Sequence, residues 1–197
     1  LPKFKKQQQN LDSKKTVSID KKACSNYLGQ IIKLNNKGIT PKYIQKTLKA
    51  ADIGQVNPIV DITNYVMLHT GQPLHAFDNQ KIGKKIHVKF PSKRTKLKLL
   101  DGASHEITKD YLTISDEKKV IALAGIMGCA NSEVDETTQE IFLESACFKP
   151  ISIRGNARKL GFQSEASLRF ERGVDKEIQE YAINFAGQLY AEIFGGD

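Results

Sequence analysis

One change of period constrains this chain more than any other feature. From Asp61 the stretch DITNYVMLHT reads as a helix, and Gly71 and Pro73 in the following QPLHAF run forbid its continuing, because proline lacks the N–H that a helix interior needs. A helix therefore gives way to a strand within a few residues. Upstream, residues 17–19 and 27–34 have the apolar spacing of short strands, bracketed by Asp20 and by Asn35-Asn36-Lys37-Gly38. A helix then starts with Thr40 as its cap, Pro41 in the first helical position, and Ile44, Leu48 and Ala51 on one face before Gly54. Downstream, KKIHVKF alternates, and TKLKLL runs into Asp101-Gly102, a hairpin signal. YLTIS, VIALAG and EIFLESACF continue as strands. Two helices close the chain, one over residues 151–160 and one from about Asp175, with Ile178, Ala182, Phe185 and Leu189 on one stripe until Gly195-Gly196. Strands and helices in mixed runs, with no internal repeat, predict an α+β fold.

The chain's 197 residues, 40% hydrophobic and 26% charged, have the composition of a soluble globular protein with room for a sizeable core. No apolar run reaches the roughly 20 residues of a spanning helix, and the opening LPKFKKQQQN lacks the apolar centre of a secretory signal. The cytoplasm is the expected compartment, with no membrane partner. Residues 1–14 read as a lead-in or linker and residues 15–197 as the folded domain. Cys24, Cys129 and Cys147 are odd in number and widely spaced, which indicates buried thiols rather than disulfides or a zinc site. Thirty Lys and Arg against 22 Asp and Glu give +8 and favour an anionic partner such as RNA, although scattered lysines also make a merely solvated face.

Four clusters carry chemistry. In VDITNYVMLHTGQPLHAFD, Thr63, Asn64 and His75 bring a hydroxyl, an amide and an imidazole to one helix-to-strand turn, where they could hold a water; taken alone, Thr63 and Asn64 read first as helix-start caps. His69 and His75 are six residues apart, not the i, i+4 spacing that stacks two metal ligands on a helix, so no metal site is indicated. ALAGIMGCANS places Gly125 and Gly128 in a loop whose N–H groups are open to a ligand oxygen, or which is only a tight turn; without GK[ST] it is no Walker loop. Glu144 interrupts an apolar strand, so its face either meets solvent or lines a pocket. IRGNARKLGFQSEASLRFERGVD could bind phosphates or, through Arg169, Glu171 and Arg172, form internal ion pairs.

Taken in order and spacing, VDITNYVMLHTGQPLHAFD, LDG, ALAGIMG, LESACF and IRGNARKLGFQSEASLRFERGVD resemble the B3/B4 region of bacterial phenylalanyl-tRNA synthetase beta chains over about residues 25–196. The resemblance implies an α+β unit with mixed sheets in an unusual β-sandwich and flanking helices. It also implies a site that hydrolyses the ester of tRNA(Phe) mischarged with tyrosine. By the same resemblance Thr63, Asn64 and His75 surround the scissile ester and its attacking water. Glu144 accepts the tyrosine phenol with the backbone at Gly125, Ala166 leaves room for the ring, and Ser164 stands where relatives usually carry Thr. Cys129 replaces a usual glycine and Pro58 a usual Asn or small residue, which touches loop shape more than chemistry. The implied partners are the acceptor end of tRNA(Phe), the alpha subunit and the remaining beta domains of an alpha2-beta2 assembly. ATP and magnesium belong to the aminoacylation site elsewhere in that assembly, and no cofactor is expected in this fragment.

The physical logic is that of a second sieve. A pocket for phenylalanine rejects an isostere with one added hydroxyl only about 10²-fold. A second pocket that offers Glu144 to the phenol reverses the preference, because phenylalanine would leave a buried acid unpaired. A non-catalytic docking scaffold of the same synthetase and a generic RNA-binding module are the competing readings.

Overall fold

The strand β10, Glu140–Phe148, is buried along nearly its whole length, and a strand apolar on both faces must be covered on both sides. The computed structural model, which describes residues 15–195, shows how. β10 is the centre of a three-stranded antiparallel sheet, flanked by β2, Cys24–Lys33, and β3, Leu74–Asp78. Alternation sends Phe142, Ala146 and Phe77 into one core, and Ile141, Leu143 and Ala76 into another.

The first core is shared with a five-stranded sheet of order β1-β4-β7-β8-β9. Its strands are β1 (Thr16–Ile19), β4 (Lys85–Lys89), β7 (Thr113–Ser115), β8 (Val120–Leu123) and β9 (Met127–Gly128). Ile86, Val88, Ile114 and Ile121 fill the space between the sheets, a β-sandwich with one parallel pair, β1 with β4. A separate hairpin, β5 (Thr95–Lys98) and β6 (Ser104–Ile107), turns at Asp101-Gly102 as expected, with Gly102 at φ 79°. The second core is roofed by α1 (Lys42–Ala50), α2 (Pro58–Thr70) and α6 (Gln179–Phe194). Tyr190 Oη donates to the Ile59 carbonyl at 2.8 Å, tying α6 to α2. The α+β expectation and its flanked sandwich stand.

Four local expectations need correction. α2 starts at Pro58, three residues ahead of Asp61, with Asn57 Oδ1 accepting from Val60 N–H at 2.9 Å; Thr63 and Asn64 lie in its interior and are not caps. Its end is as expected, with Gly71 in the left-handed region at φ 73°. Pro41, not Thr40, is the cap residue of α1, without a side-chain cap bond, because the Thr40 hydroxyl donates instead to Asp61 Oδ2 at 2.6 Å. The helix expected over 151–160 is two single turns, α3 (Pro150–Ile153) and α4 (Asn156–Lys159), divided by Gly155 at φ 77°. A further helix, α5 (Glu165–Arg172), follows, and the last begins at Gln179 rather than Asp175. The cysteines are free and buried. The lead-in expected over 1–14 lies outside the described residues.

Candidate functional site

Glu144 sits mid-way along β10, and antiparallel register sets His75 of β3 opposite it on one side and Gly29 of β2 on the other. Directly opposed residues share a face, so the acid and the imidazole point into the same side of the sheet. That side holds a cavity of about 60 Å³, lined among others by His75, Gly125, Gly128, Glu144, Ala166 and Phe170. Four of the seven residues named from the sequence, His75, Gly125, Glu144 and Ala166, thus meet at one place.

The electrostatics are set by desolvation. Glu144 is only 5% exposed, and burial pushes its carboxyl up to about 8 despite a hydrogen bond that favours the charged form. The donor of that bond is the Tyr27 hydroxyl, 2.9 Å from Glu144 Oε2. Burial, and then the neighbouring Glu144, hold the Tyr27 phenol well above its ordinary value. Burial also pushes the His75 imidazole down to about 4. His75 packs edge-on against Phe77, ring centroids 4.5 Å apart, and its ring passes so close to β9 that a Cβ on Gly128 would lie 2.8 Å from Cε1 and Nε2. Glycine at 128 is therefore a condition of the imidazole's position.

Gly125 makes the turn between β8 and β9 at φ 66°, and a Cβ there would meet Phe170 at 2.9 Å. Ala166 lies in the first turn of α5, which is set against this loop by Ser164: its Oγ donates to the Ile126 carbonyl at 2.9 Å and accepts Ser167 N–H at 3.1 Å in a capping box. Ser164 thus reaches the cavity through Ile126, itself a lining residue. Thr63 and Asn64 do not line the cavity. They lie on α2, whose Ile59, Ile62 and Val66 enter the second core, on the other face of the three-stranded sheet from Glu144. The Thr63 hydroxyl donates to the Val60 carbonyl at 2.7 Å.

Two groups were not singled out in the sequence. Tyr27 gives no local signal, since only strand pairing brings it to Glu144. Gln72, wholly buried between Gly71 and Pro73, donates from Nε2 to the carbonyls of Pro73 and Ala146 at 2.9 and 2.8 Å, fastening the entry of β3 to β10. Gln179 Nε2 donates to Gln72 Oε1 at 3.0 Å. In the arginine-rich segment, ion pairs form internally between Arg169 and Glu165 at 2.6 Å and between Arg158 and Glu171 at 3.7 Å, while Arg172 is exposed. Among the described residues no group of three His, Cys, Asp or Glu side chains could hold a metal ion, and no helix is long and apolar enough to cross a membrane.

Residues 23–195 match the B3/4 domain family. The chain is similar to the phenylalanine-tRNA ligase beta subunit of Photorhabdus laumondii, 47% identical over 176 residues, covering 89% of this chain and 22% of that protein. The beta subunit of the same ligase from Acinetobacter baylyi is 44% identical over 188 residues, 95% of this chain and 24% of that protein. The chain thus spans about a quarter of the length of these curated relatives. In structure it resembles an N-terminal fragment of the phenylalanyl-tRNA synthetase beta subunit from Pyrococcus horikoshii, with a TM-score of 0.60 at 17% identity, over 100% of this chain and 52% of that one. At that identity the likeness is one of fold.

Proposed function

This chain belongs to the B3/4 domain family, and we propose that its cavity is a proofreading site, hydrolysing the ester of tRNA(Phe) mischarged with tyrosine within a phenylalanine-tRNA ligase. The observation that carries this reading is Glu144: a buried acid lining the same cavity as His75, with a tyrosine phenol already bonded to one of its oxygens. A second phenol, that of the substrate, is the complementary partner for the other oxygen, accepting its proton while the carboxyl is neutral and donating to it once it is ionised. Ala166 and Gly125 leave space for the ring, and Phe170 closes the wall.

Hydrolysis of an activated ester rests mainly on positioning. Water oxygen bonds to the acyl carbon, the ester C–O bond breaks, and the ribose hydroxyl leaves with a proton. A His75 imidazole with a value near 4 is neutral at physiological pH and a weak base, so it orients the water; the terminal hydroxyl of the tRNA assists the proton transfer. No role in this step falls to Thr63 and Asn64, which do not line the cavity. Discrimination also takes a milder form than a bare anion would give: phenylalanine leaves one oxygen of a neutral acid unfilled while Tyr27 satisfies the other.

The partner set follows from the same reading: the tRNA acceptor end, the alpha subunit and the other beta domains of an alpha2-beta2 enzyme in the cytoplasm, with ATP and magnesium at the aminoacylation site outside this fragment. The basic hairpin supports an RNA partner, since it meets β9 where Leu100 N–H donates to the Gly128 carbonyl at 3.1 Å and exposes Lys96 and Lys98. A second reading, a docking scaffold, is favoured by Ile39 and Val56, 81% and 68% exposed. Deacylation by the whole synthetase separates the two. Rapid loss of tyrosine from tRNA(Phe), sparing of phenylalanine, and collapse of that preference in Glu144→Ala support proofreading. A rate equal to that in buffer supports the scaffold, and unchanged selectivity in Glu144→Ala removes Glu144 from the reading.

A further inference from the structure

Three neighbours could hold the Glu144 side chain, and two of them do not. Directly opposite on β2 stands Gly29, which has no side chain and whose Cβ position is taken by the Phe142 ring, 2.3 Å away. Opposite on β3, His75 packs against Phe77 and β9, and no hydrogen bond joins it to Glu144 among the described residues. The third is Tyr27, two residues along β2 from Gly29 and paired in register with Ala146. This is the diagonal position from which a long aromatic side chain reaches across a sheet. Its hydroxyl donates to Glu144 Oε2 at 2.9 Å.

A glutamate side chain has three rotatable bonds, and its last torsion is broad, so a buried carboxyl with no fixed donor has no fixed direction. We propose, resting on the proofreading assignment above, that Tyr27 is a positioning residue for specificity: by holding Glu144 Oε2 it turns the other carboxyl oxygen to the cavity, where that oxygen reads the para-hydroxyl of the bound aminoacyl group. The site thus recognises a tyrosine with the help of its own tyrosine. Removing the hydroxyl leaves the cavity walls in place and frees the acid to rotate, so the loss falls on the distinction between tyrosine and phenylalanine rather than on ester hydrolysis as such.

The test uses the whole synthetase in four forms: wild type, Tyr27→Phe, Glu144→Gln and the double variant, each assayed for hydrolysis of Tyr-tRNA(Phe) and Phe-tRNA(Phe), with thermal melting to confirm folding. Tyr27→Phe should lower the ratio of the two kcat/KM values about tenfold, the scale of one hydrogen bond. In the Glu144→Gln background the same change should move the ratio less than about twofold, since a residue acting through another has nothing further to lose. A ratio unaltered by Tyr27→Phe, or lowered equally in both backgrounds, overturns the proposal and leaves Tyr27 a structural partner only. If the wild-type enzyme hydrolyses neither ester, the proofreading assignment fails, and calorimetric titration with free L-tyrosine and L-phenylalanine, the aminoacylation site first saturated with a non-hydrolysable phenylalanyl-adenylate analogue, then decides the matter. A preference for tyrosine that Tyr27→Phe abolishes sustains the positioning role, and the absence of any preference ends it.

Discussion

Glu144 and His75 face one another across the β10–β3 ladder with their charges suppressed in opposite directions, the acid pushed up to about 8 and the imidazole pushed down to about 4. Desolvation is the leading cause for both, and it favours whichever form is neutral. Near neutral pH the cavity therefore presents a polar but largely uncharged pair. Such a pocket suits an aromatic side chain with one hydroxyl better than it suits an ion, whose desolvation costs far more than that of a single hydroxyl.

This pair predicts a characteristic dependence of stability on pH. Glu144 binds its proton more tightly folded than unfolded, so its contribution is present below its ordinary 4.5 and is lost as pH rises to about 8. His75 is the reverse: its contribution is present above 6.5 and is lost as pH falls to about 4. The two cancel between about 4.5 and 6.5. Above 6.5 Glu144 acts alone and removes roughly 2 kcal/mol by pH 8. Urea denaturation of wild type and Glu144→Gln should give curves that diverge over this upper window, and parallel curves would contradict a buried acid at 144.

Gly128 and Gly71 provide a matched pair of substitutions. At Gly128 a methyl group meets the His75 ring at 2.8 Å and Leu100 at 3.0 Å, whereas at Gly71 it meets nothing within 4 Å but must accept φ 73°. Gly128→Ala should displace the imidazole, lower Tyr-tRNA hydrolysis by the full enzyme at least about tenfold and cost about 1–3 kcal/mol. Gly71→Ala should cost about 1 kcal/mol from backbone strain and leave hydrolysis within about twofold. Equal effects on activity would mean that His75 is not the group being disturbed.

Much of this architecture was legible because it depends on local rules. Glu140–Phe148 reads as a strand from its apolar run, the hairpin from Asp101-Gly102, and the end of α2 from Gly71. What escaped depends on contacts distant in sequence. Thr40 looks like a cap until Asp61, twenty-one residues on, takes its hydroxyl. α5 has eight residues and few apolar positions, and its start is held by Ser164 bonding to the Ile126 carbonyl rather than by periodicity. Of the site, His75 and Glu144 were named in the sequence, but only register makes them opposite. Tyr27, 117 residues from Glu144, was beyond any local pattern.

Gln179 joins three elements through one buried amide. Its Nε2 donates to Gln72 Oε1 at 3.0 Å and to the Asp175 carbonyl at 2.6 Å, its Oε1 accepts from Asn26 Nδ2 at 3.2 Å, and its carbonyl accepts from Ser145 Oγ at 3.1 Å. Gln179→Leu should cost about 2–4 kcal/mol by leaving buried partners unmatched, and should lower the melting temperature by about 5–15 °C. Because Gln72 anchors Pro73, which lines the cavity, hydrolysis should fall with stability. A melting temperature within about 2 °C of wild type would show that the network is replaceable.

Thr40 and Asp61 make the clearest case in which a polar pair, not an apolar face, fixes one helix against another. Asp61 is 1% exposed, stands in the first turn of α2, and accepts from the Thr40 hydroxyl at 2.6 Å and the Val56 N–H at 3.0 Å. Its position near the helix start adds the favourable field of the N-terminal dipole. Thr40→Val removes a donor and leaves a buried acid with one bond fewer, a loss of about 1–3 kcal/mol. Asp61→Ala removes the acceptor for both donors and should cost about 2–4 kcal/mol. The double variant should cost clearly less than the two single losses added together, because both remove the same bond. Full additivity in denaturant titrations would mean that the hydroxyl and the carboxylate act independently, and that the junction of α1 with α2 rests on apolar and ring contacts such as Ile44 and Leu48 in the second core and Tyr43 against Tyr65.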